Sequence, residues 1–438
     1  MSQVNWRYDE DWSLLHTAKV EDPPWWLPAK YVPLSPGGSD WVSLGLDSRL
    51  RFEGFKGNDW GSATAPDDGY FWLRVMPHAD VHVGRARAFV QLIGGDSRGV
   101  AGGPGQIDKT GIDLLQGFAE LHVPLGQRAG VTFRAGRELV ALGSERLVGT
   151  RYGTNIPQPF QGVRWLVHLG AARVDVFRVR PVHVGQHNFD DEPDRTRRLG
   201  GIYATLPLQI GSHSGVDLYV LDYHRDRAAF DHGTGAESRR TGGLRFFGKA
   251  GNWTWNWEAM VQRGRFGSGK IRAHSVATET SRSFPGLPLK PSLRLRANVA
   301  SGDRDPSDRV LGTFNPMFPK AKYFGELSPL GPYNIINLHP SLDLELGRGF
   351  KLGLAGVSYW RESRGDGIYG ISGARIRSGS GSTSRHIGTQ QEAVLGWQRD
   401  AALSFTLSLS RFSAGRFIEE SGPDRTIRMI ALETQYRF

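Results

Sequence analysis

The chain closes with IALETQYRF, residues 430–438. Side chains of an extended strand alternate between two faces. Ile430, Leu432, Thr434, Tyr436 and Phe438 therefore share one face, and Ala431, Glu433, Gln435 and Arg437 share the other. The first face is greasy and ends in two aromatics, while the second carries charge. The same period of two runs back through the chain. Val42, Leu44, Leu46, Ser48, Leu50 and Phe52 alternate with Ser43, Gly45, Asp47, Arg49, Arg51 and Glu53. Phe71, Leu73 and Val75 alternate with Arg74, Met76 and His78, and Trp253, Trp255 and Trp257 with Thr254, Asn256 and Glu258. Runs at 86–92, 119–123, 338–346 and 403–410 repeat the pattern.

Such runs number roughly eighteen between residues 41 and 438, each near the length a tilted membrane strand needs. The connections sort by length. Long ones fall at 56–69, 94–112, 141–160, 182–197, 225–238, 302–332, 363–385 and 413–424. Short ones fall near Gly84, Gln127, Gly170, Gly251, Gly347 and Asp400. Outer-membrane barrels pair long extracellular loops with short periplasmic turns, whereas a soluble sandwich has no cause to sort its loops. The expected fold is all-β: a transmembrane antiparallel barrel of about eighteen strands over 41–438, with both termini in the periplasm. The aromatic end at Phe438 resembles the terminal signal that directs outer-membrane proteins to the barrel assembly machinery.

Composition agrees. The chain has 438 residues, 39% of them hydrophobic, and no stretch approaches the ~20 apolar residues of a spanning helix. It contains no Cys, which removes disulfides and thiolate metal sites. Lys and Arg number 54 against 44 Asp and Glu, a formal charge of +10. That excess favours anionic partners: outer-membrane lipid and lipopolysaccharide, or an acidic solute. Nucleic acid fits poorly, because arginine is spread evenly along the strands with no aromatic stacking module. Residues 1–40, rich in Trp and Pro, read as a periplasmic lead-in segment, with a short plug at the periplasmic mouth as the alternative. Residues 1–20 lack a signal-peptide pattern, and the expectation is a mature outer-membrane chain of a Gram-negative bacterium, a monomer.

Charge assigns the faces. Arg or Lys facing lipid at mid-depth costs about 2–4 kcal/mol, whereas a wide lumen holds water. The charged set must point inward: Arg49, Arg51, Arg74, Arg85, Arg87, Arg134, Arg164, Arg245, Arg294, Arg296, Lys351 and Arg361, against Asp47, Glu53, Glu120, Glu258, Asp343, Glu345 and Glu392. Rings of Arg or Lys select anions, and guanidinium matches carboxylate in a bidentate manner. An anion-selective channel is the functional expectation, with no cofactor and no metal.

Other motifs fall away. GRFGSGK at 264–270 has the Walker spacing but is followed by Ile271, so the magnesium ligand is missing and the stretch reads as a tight loop. GDGIYG at 365–370 matches a dinucleotide fingerprint without a helix to follow, and reads as a flexible loop. Asp303, Asp305 and Asp308 lack the glycine and closing glutamate of a calcium loop. Neither HExxH nor GxSxG occurs, and no enzyme is expected.

Four long stretches resemble the alginate export family of outer-membrane porins. They are GRELVALGSERLVGTRYGTNIPQPFQGVRW at 136–165, LDYHRDRAAFDHGTGAESRRTGGLRFFGKAGNWTWNWEAMVQRGRFG at 221–267, ASGDRDPSDRVLGTFNPMFPKAKYFGELSPLGPYNIINLHPSL at 300–342 and YWRESRGDGIYG at 359–370. RYDEDWSLL and AKYVPL, at 7–15 and 29–34, extend the likeness. The resemblance implies a monomeric, eighteen-stranded barrel with an electropositive constriction that passes a polyuronate outward. Carried onto this chain, it implies a constriction of Arg49, Arg74, Arg137, Arg164 and Arg361, with Lys30 at the periplasmic entrance. Arg137 breaks the alternation, and a bulge beside Gly136 would turn it inward. The family's type member has a long periplasmic plugging loop before its penultimate strand; here that connection is the short stretch around Gln398–Ala402. The connection at 94–112 is the one left to cover the outer mouth. Uptake of small organic acids or acidic oligosaccharides is the alternative to a polyuronate.

Overall fold

The computed structural model describes residues 6–18 and 20–438. The alternating runs form strands, and each hydrogen-bonds to the next until the last meets the first. In chain order they are β1 Trp41–Lys56, β2 Asp68–Val83, β3 Ala86–Arg98, β4 Thr110–Pro124, β5 Ala129–Glu138, β6 Phe160–Leu169, β7 Ala172–His183, β8 Arg197–Leu208 and β9 Ser212–Phe230. There follow β10 Gly233–Ala250, β11 Trp253–Phe266, β12 Gly269–Ser283, β13 Ser292–Ala300, β14 Ile335–Gly347, β15 Phe350–Trp360, β16 His386–Gln398, β17 Leu403–Ala414 and β18 Ile427–Arg437. The closing seam pairs β1 with β18 antiparallel, from Asp47 opposite Arg437 to Lys56 opposite Arg428. The result is a closed barrel of 18 antiparallel strands.

The alternation sets the faces. Leu50 and Leu432 are each 50% exposed on the outer wall, while Arg49, Arg51 and Arg74 are buried inside. Aromatic side chains gather near the periplasmic ends: Phe133 packs on Trp165, and Trp397 stacks on Phe350 and Phe405. Such rings suit the level where acyl chains meet headgroups. Phe438 continues the seam, exchanging backbone hydrogen bonds with Leu46 at 3.0 Å.

Turns at 84–85, 125–128, 170–171, 251–252, 348–349 and 399–402 are short, as expected. Two connections differ from expectation. The stretch 225–238 is not a long loop: β9 and β10 run for 19 and 18 residues and reverse at 231–232. Polar residues on both faces hid these strands, because beyond the lipid nothing demands an apolar face. GRFGSGK forms the tight hairpin between β11 and β12, as read from the sequence. GDGIYG is packed: Ile368–Tyr369 pairs with Arg375–Arg377, and Tyr369 is buried.

Two extracellular connections, 139–159 and 301–334, turn into the lumen. Val148 and Phe318 form a parallel bridge, in which Gly149 N–H donates to Phe318 O at 2.8 Å and Phe318 N–H to Leu147 O at 2.9 Å. Val140, Leu142 and Leu147 of one loop and Phe314, Met317 and Phe324 of the other join one apolar cluster. Phe177, Val179, Leu199, Tyr203, Tyr219 and Leu221, from the inner faces of β7 to β9, belong to the same cluster. The lumen is therefore partly a packed core, and water does not fill it throughout.

Residues of the amino-terminal segment sit against the periplasmic end of the lumen. Tyr8 packs edge-on against Phe89 and Phe118, and its hydroxyl donates to Leu139 O at 2.7 Å. Trp12, Trp26 and Trp41 cluster below it.

A charge on the outer wall tests the facing. Leu73→Arg should lower unfolding free energy in lipid vesicles by about 2–4 kcal/mol, as measured by urea titration. Leu73→Ile should change it little.

Candidate functional site

An irregular chain inside a barrel brings carbonyls that the strands cannot satisfy. Arginines on the inner wall meet them. Arg49 Nη2 donates to Thr154 O at 2.6 Å, and its Nη1 to Tyr152 O and Gly153 O at 3.3 and 3.2 Å. Arg74 Nη1 donates to Tyr152 O, Thr154 O and Asn155 O at 3.2, 3.1 and 3.3 Å, with its guanidinium 4.3 Å from the Tyr152 ring centre. Arg51 pairs with Glu433 at 2.9 Å and with Glu326 of the second loop at 2.7 Å. Glu392 accepts the Glu326 amide at 2.7 Å, which fixes the tip of that loop. Arg239 reaches Thr313 O at 3.1 Å, and Gln262 donates to Asn315 O at 2.8 Å.

Arg87 and Arg164 belong to a second network nearer the periplasm. Arg87 holds Asp80 at 2.8 Å and Glu120 at 3.2 Å, and Arg134 lies between Glu120 and Glu138. Arg164 bridges Glu138 at 3.1 Å and Asp175 at 3.2 Å. Lys30 is fully buried at the periplasmic end, 5.5 Å from the Trp12 ring centre and 5.7 Å from that of Phe438. Burial, reinforced by Arg7, lowers its ammonium to about 7.

Three sequence-predicted residues stand elsewhere. Arg85 lies exposed in the periplasmic turn after β2, outside the strand in which alternation placed it. Arg361 follows the end of β15 and organises the extracellular connection, donating to carbonyls of Arg364, Asp366, Ser382 and Ser384. Arg137 stays on the face opposite Arg134, because the ladder is unbroken on both sides of Gly136. The nearby bulge is in β4, between Leu114 and Gln116, and it frees the Leu114 carbonyl that Arg137 takes at 2.9 Å. Asp303, Asp305 and Asp308 do ordinary turn work: Asp303 meets His232, while Asp305 and Asp308 accept the Ser307 and Val310 amides.

Open space remains beside β13 to β16. A cavity of about 310 Å³ is lined by Arg294, Arg296 and His339 of the wall, and by Lys320, Lys322 and Tyr323 of the infolded loop. Ser341, Gly353 and Ala355 leave the room that larger side chains would fill. Acids are present but engaged. Glu279 holds Arg296 at 3.0 Å, Asp343 holds Arg294 at 3.3 Å, and Glu326 holds Lys322 at 2.7 Å. Burial pushes the Glu326 carboxyl up, but Lys322 and Arg51 outweigh it and hold it at about 2. Among the described residues, no carboxylate lies within ion-pair distance of Lys320. Burial, with Arg296 and Arg146 nearby, keeps its ammonium below the ordinary lysine value. Alternation pointed to Arg294 and Arg296 as inward residues, but it could not find Lys320 or Lys322. They sit on a loop without period, inside the stretch 300–342 that carries the family likeness.

If Arg49 and Arg74 hold the first loop, their removal frees it. Arg49→Ala/Arg74→Ala should speed tryptic cleavage after Arg151 at least tenfold. Charge-assisted hydrogen bonds to buried carbonyls are worth about 1.5–3 kcal/mol each. Unchanged cleavage would contradict the assignment.

Comparison with known proteins agrees with this architecture. The barrel is similar to Pseudomonas aeruginosa OccK2 (OpdF) in complex with glucuronate, with TM-score 0.59, 14% identity, and coverage of 91% of this chain and 98% of that one. It is similar to Pseudomonas aeruginosa OpdK with vanillate, with TM-score 0.57, 13% identity, and coverage of 90% and 98%. A BenF-like porin from Pseudomonas fluorescens Pf-5 gives TM-score 0.61 at 12% identity, covering 91% and 98%. At these identities the likeness is one of fold. No curated protein matches the sequence. The alginate export family model matches residues 40–431. A porin-like barrel that matches this family is a transport channel of the Gram-negative outer membrane. The chain belongs to the alginate export family.

Proposed function

We propose that the channel selects anions and passes carboxylate-bearing saccharides, with an alginate-like polyuronate as the solute. The observation that carries this reading is Lys320, a lumen ammonium with no carboxylate in ion-pair distance among the described residues, facing a cavity walled by Arg294 and Arg296. A uronate carboxylate entering there meets three cations on two sides, and a guanidinium binds it in a bidentate manner. The engaged acids keep the arginines extended and hold binding weak, as conduction requires. Arg49, Arg51 and Arg74 serve as positioning residues, since they set where the infolded loops narrow the path. Arg87, Arg164, Arg361 and Lys30 act at its two ends, Arg137 stands on the outer face of the wall, and Arg85 faces the periplasm. Residues 1–40 act as a lead-in on that side. A single barrel is the working unit, delivered by the assembly machinery that reads Phe438.

The second reading is uptake of small acids. A cavity of about 310 Å³ suits one sugar ring or one aromatic acid at a time. The barrels of similar fold were crystallised with glucuronate and with vanillate. Both readings share the cations and differ in the size of the solute.

Planar-bilayer recording under a salt gradient separates them. The wild-type channel should give a reversal potential of anion-selective sign, and Arg296→Glu/Lys320→Glu should reverse that sign. Added polyuronate should block conductance, and each charge reversal should weaken block about tenfold, the equivalent of ~1.4 kcal/mol. Block by monomeric uronate alone would favour the small-acid reading. Cation selectivity in the wild type would refute both.

A further inference from the structure

The outer wall carries a second basic feature, unrelated to the lumen. Just above the apolar band of β10 to β12, the lipid-facing row changes from Leu244, Val261 and Val276 to arginine. Arg240 stands directly opposite Arg263, and Arg263 directly opposite Arg272. Two residues further out along β11, Arg265 faces Lys270. All five are exposed, whereas their inward neighbours Arg239, Gln262 and Ile271 are buried. Like charges placed directly across strands destabilise a sheet unless something offsets them.

The chain offsets little of this charge. Arg240 meets Asp222 at 2.9 Å, with both side chains largely exposed. Among the described residues, no carboxylate lies within ion-pair distance of Arg263, Arg265, Lys270 or Arg272. Two open cavities flank the row. One, of about 530 Å³, takes Arg263, Arg272, His274 and Arg304 on its walls. Asp303, Asp305, Asp308 and Glu362 also line it, and each is engaged elsewhere: Asp303 by His232, and Glu362, Asp305 and Asp308 by the backbone amides of Gly302, Ser307 and Val310. The other, of about 480 Å³, has Gly200 and Gly201 among its lining residues, with Arg178, Arg198 and His224 around them.

Depth decides the occupant. Val261 and Val276 are 55% and 46% exposed on the wall that faces acyl chains. Arg263 lies two residues beyond Val261, about 7 Å along the strand. Cations at that height stand among the headgroups of the outer leaflet, where their counter-ions are lipid phosphates. A guanidinium row with open space on both sides suits a phosphate held by several donors.

We propose that Arg240, Arg263, Arg265, Lys270 and Arg272 form a binding site for the phosphorylated headgroup of an outer-leaflet glycolipid, lipid A of lipopolysaccharide. Its acyl chains lie along Leu244, Val261 and Val276. The site is on the opposite face of the wall from the solute path and is independent of what the lumen passes.

The test is native mass spectrometry of the folded barrel in non-ionic detergent with bisphosphorylated lipid A. At least one lipid should stay bound to the wild type. Dephosphorylated lipid A should bind at least tenfold more weakly, an arm that needs no variant. Arg263→Gln/Arg272→Gln should weaken binding of the phosphorylated lipid at least tenfold while keeping the heat-modifiable gel shift of a folded barrel. Arg296→Gln, in the lumen, should bind as the wild type does. Equal binding of the two lipid forms, or of wild type and Arg263→Gln/Arg272→Gln, overturns the proposal. Displacement of the lipid by equimolar inorganic phosphate also overturns it, because the site would then be one for free phosphate.

Discussion

An amide left without a partner in hydrocarbon costs several kcal/mol, and no water is present to take its place. That constraint shapes the chain from Trp41 to Phe438. A sheet meets it only by closing, so β1 must find β18 although almost the whole sequence separates them. Closure then fixes every face. Once Asp47 lies opposite Arg437, the outward places of both strands belong to lipid and the inward places to whatever fills the middle. The period of two is therefore the chemical record of a wall with a different solvent on each side.

A wall of this many strands encloses more space than side chains can fill. The protein fills it with its own connections and must then repeat the accounting of polar groups inside. The carbonyls of Tyr152, Gly153 and Thr154 arrive without strand partners, and Arg49 and Arg74 supply the missing donors. The lumen arginines thus divide by what they face. Those turned to a loop backbone hold the infolded loop, and those turned to the cavity beside β13 to β16 give that cavity its charge. Several charge-assisted hydrogen bonds from each guanidinium to one loop backbone make these arginines determinants of shape as much as of potential.

The wall was legible in the sequence because lipid enforces a strict pattern. Leu50, Leu73 and Leu432 had to alternate with Arg51, Arg74 and Glu433. Where that enforcement stops, legibility stops with it. β9 and β10 continue beyond the acyl chains at Arg225–Ser238 with polar residues on both faces, and they read as a loop. Arg137 misled because a single inward expectation was carried onto a place whose ladder is regular, while the irregularity lay one strand away in β4. Lys320 and Lys322 had no periodic signal at all. Their position follows from contacts of Phe318 with Leu147 and Gly149, far away in sequence, and no local pattern records such a pairing.

That pairing has an engineering consequence. Because Glu145 to Gly149 and Phe318 to Lys320 share backbone hydrogen bonds and one apolar cluster, the two loops are a single inherited part split across two segments of the gene. Transplanting either one into a related barrel would carry half of an interface and leave the other half facing a stranger. Pore redesign, and any chimera meant to exchange solute preference, has the joined pair as its smallest exchangeable unit.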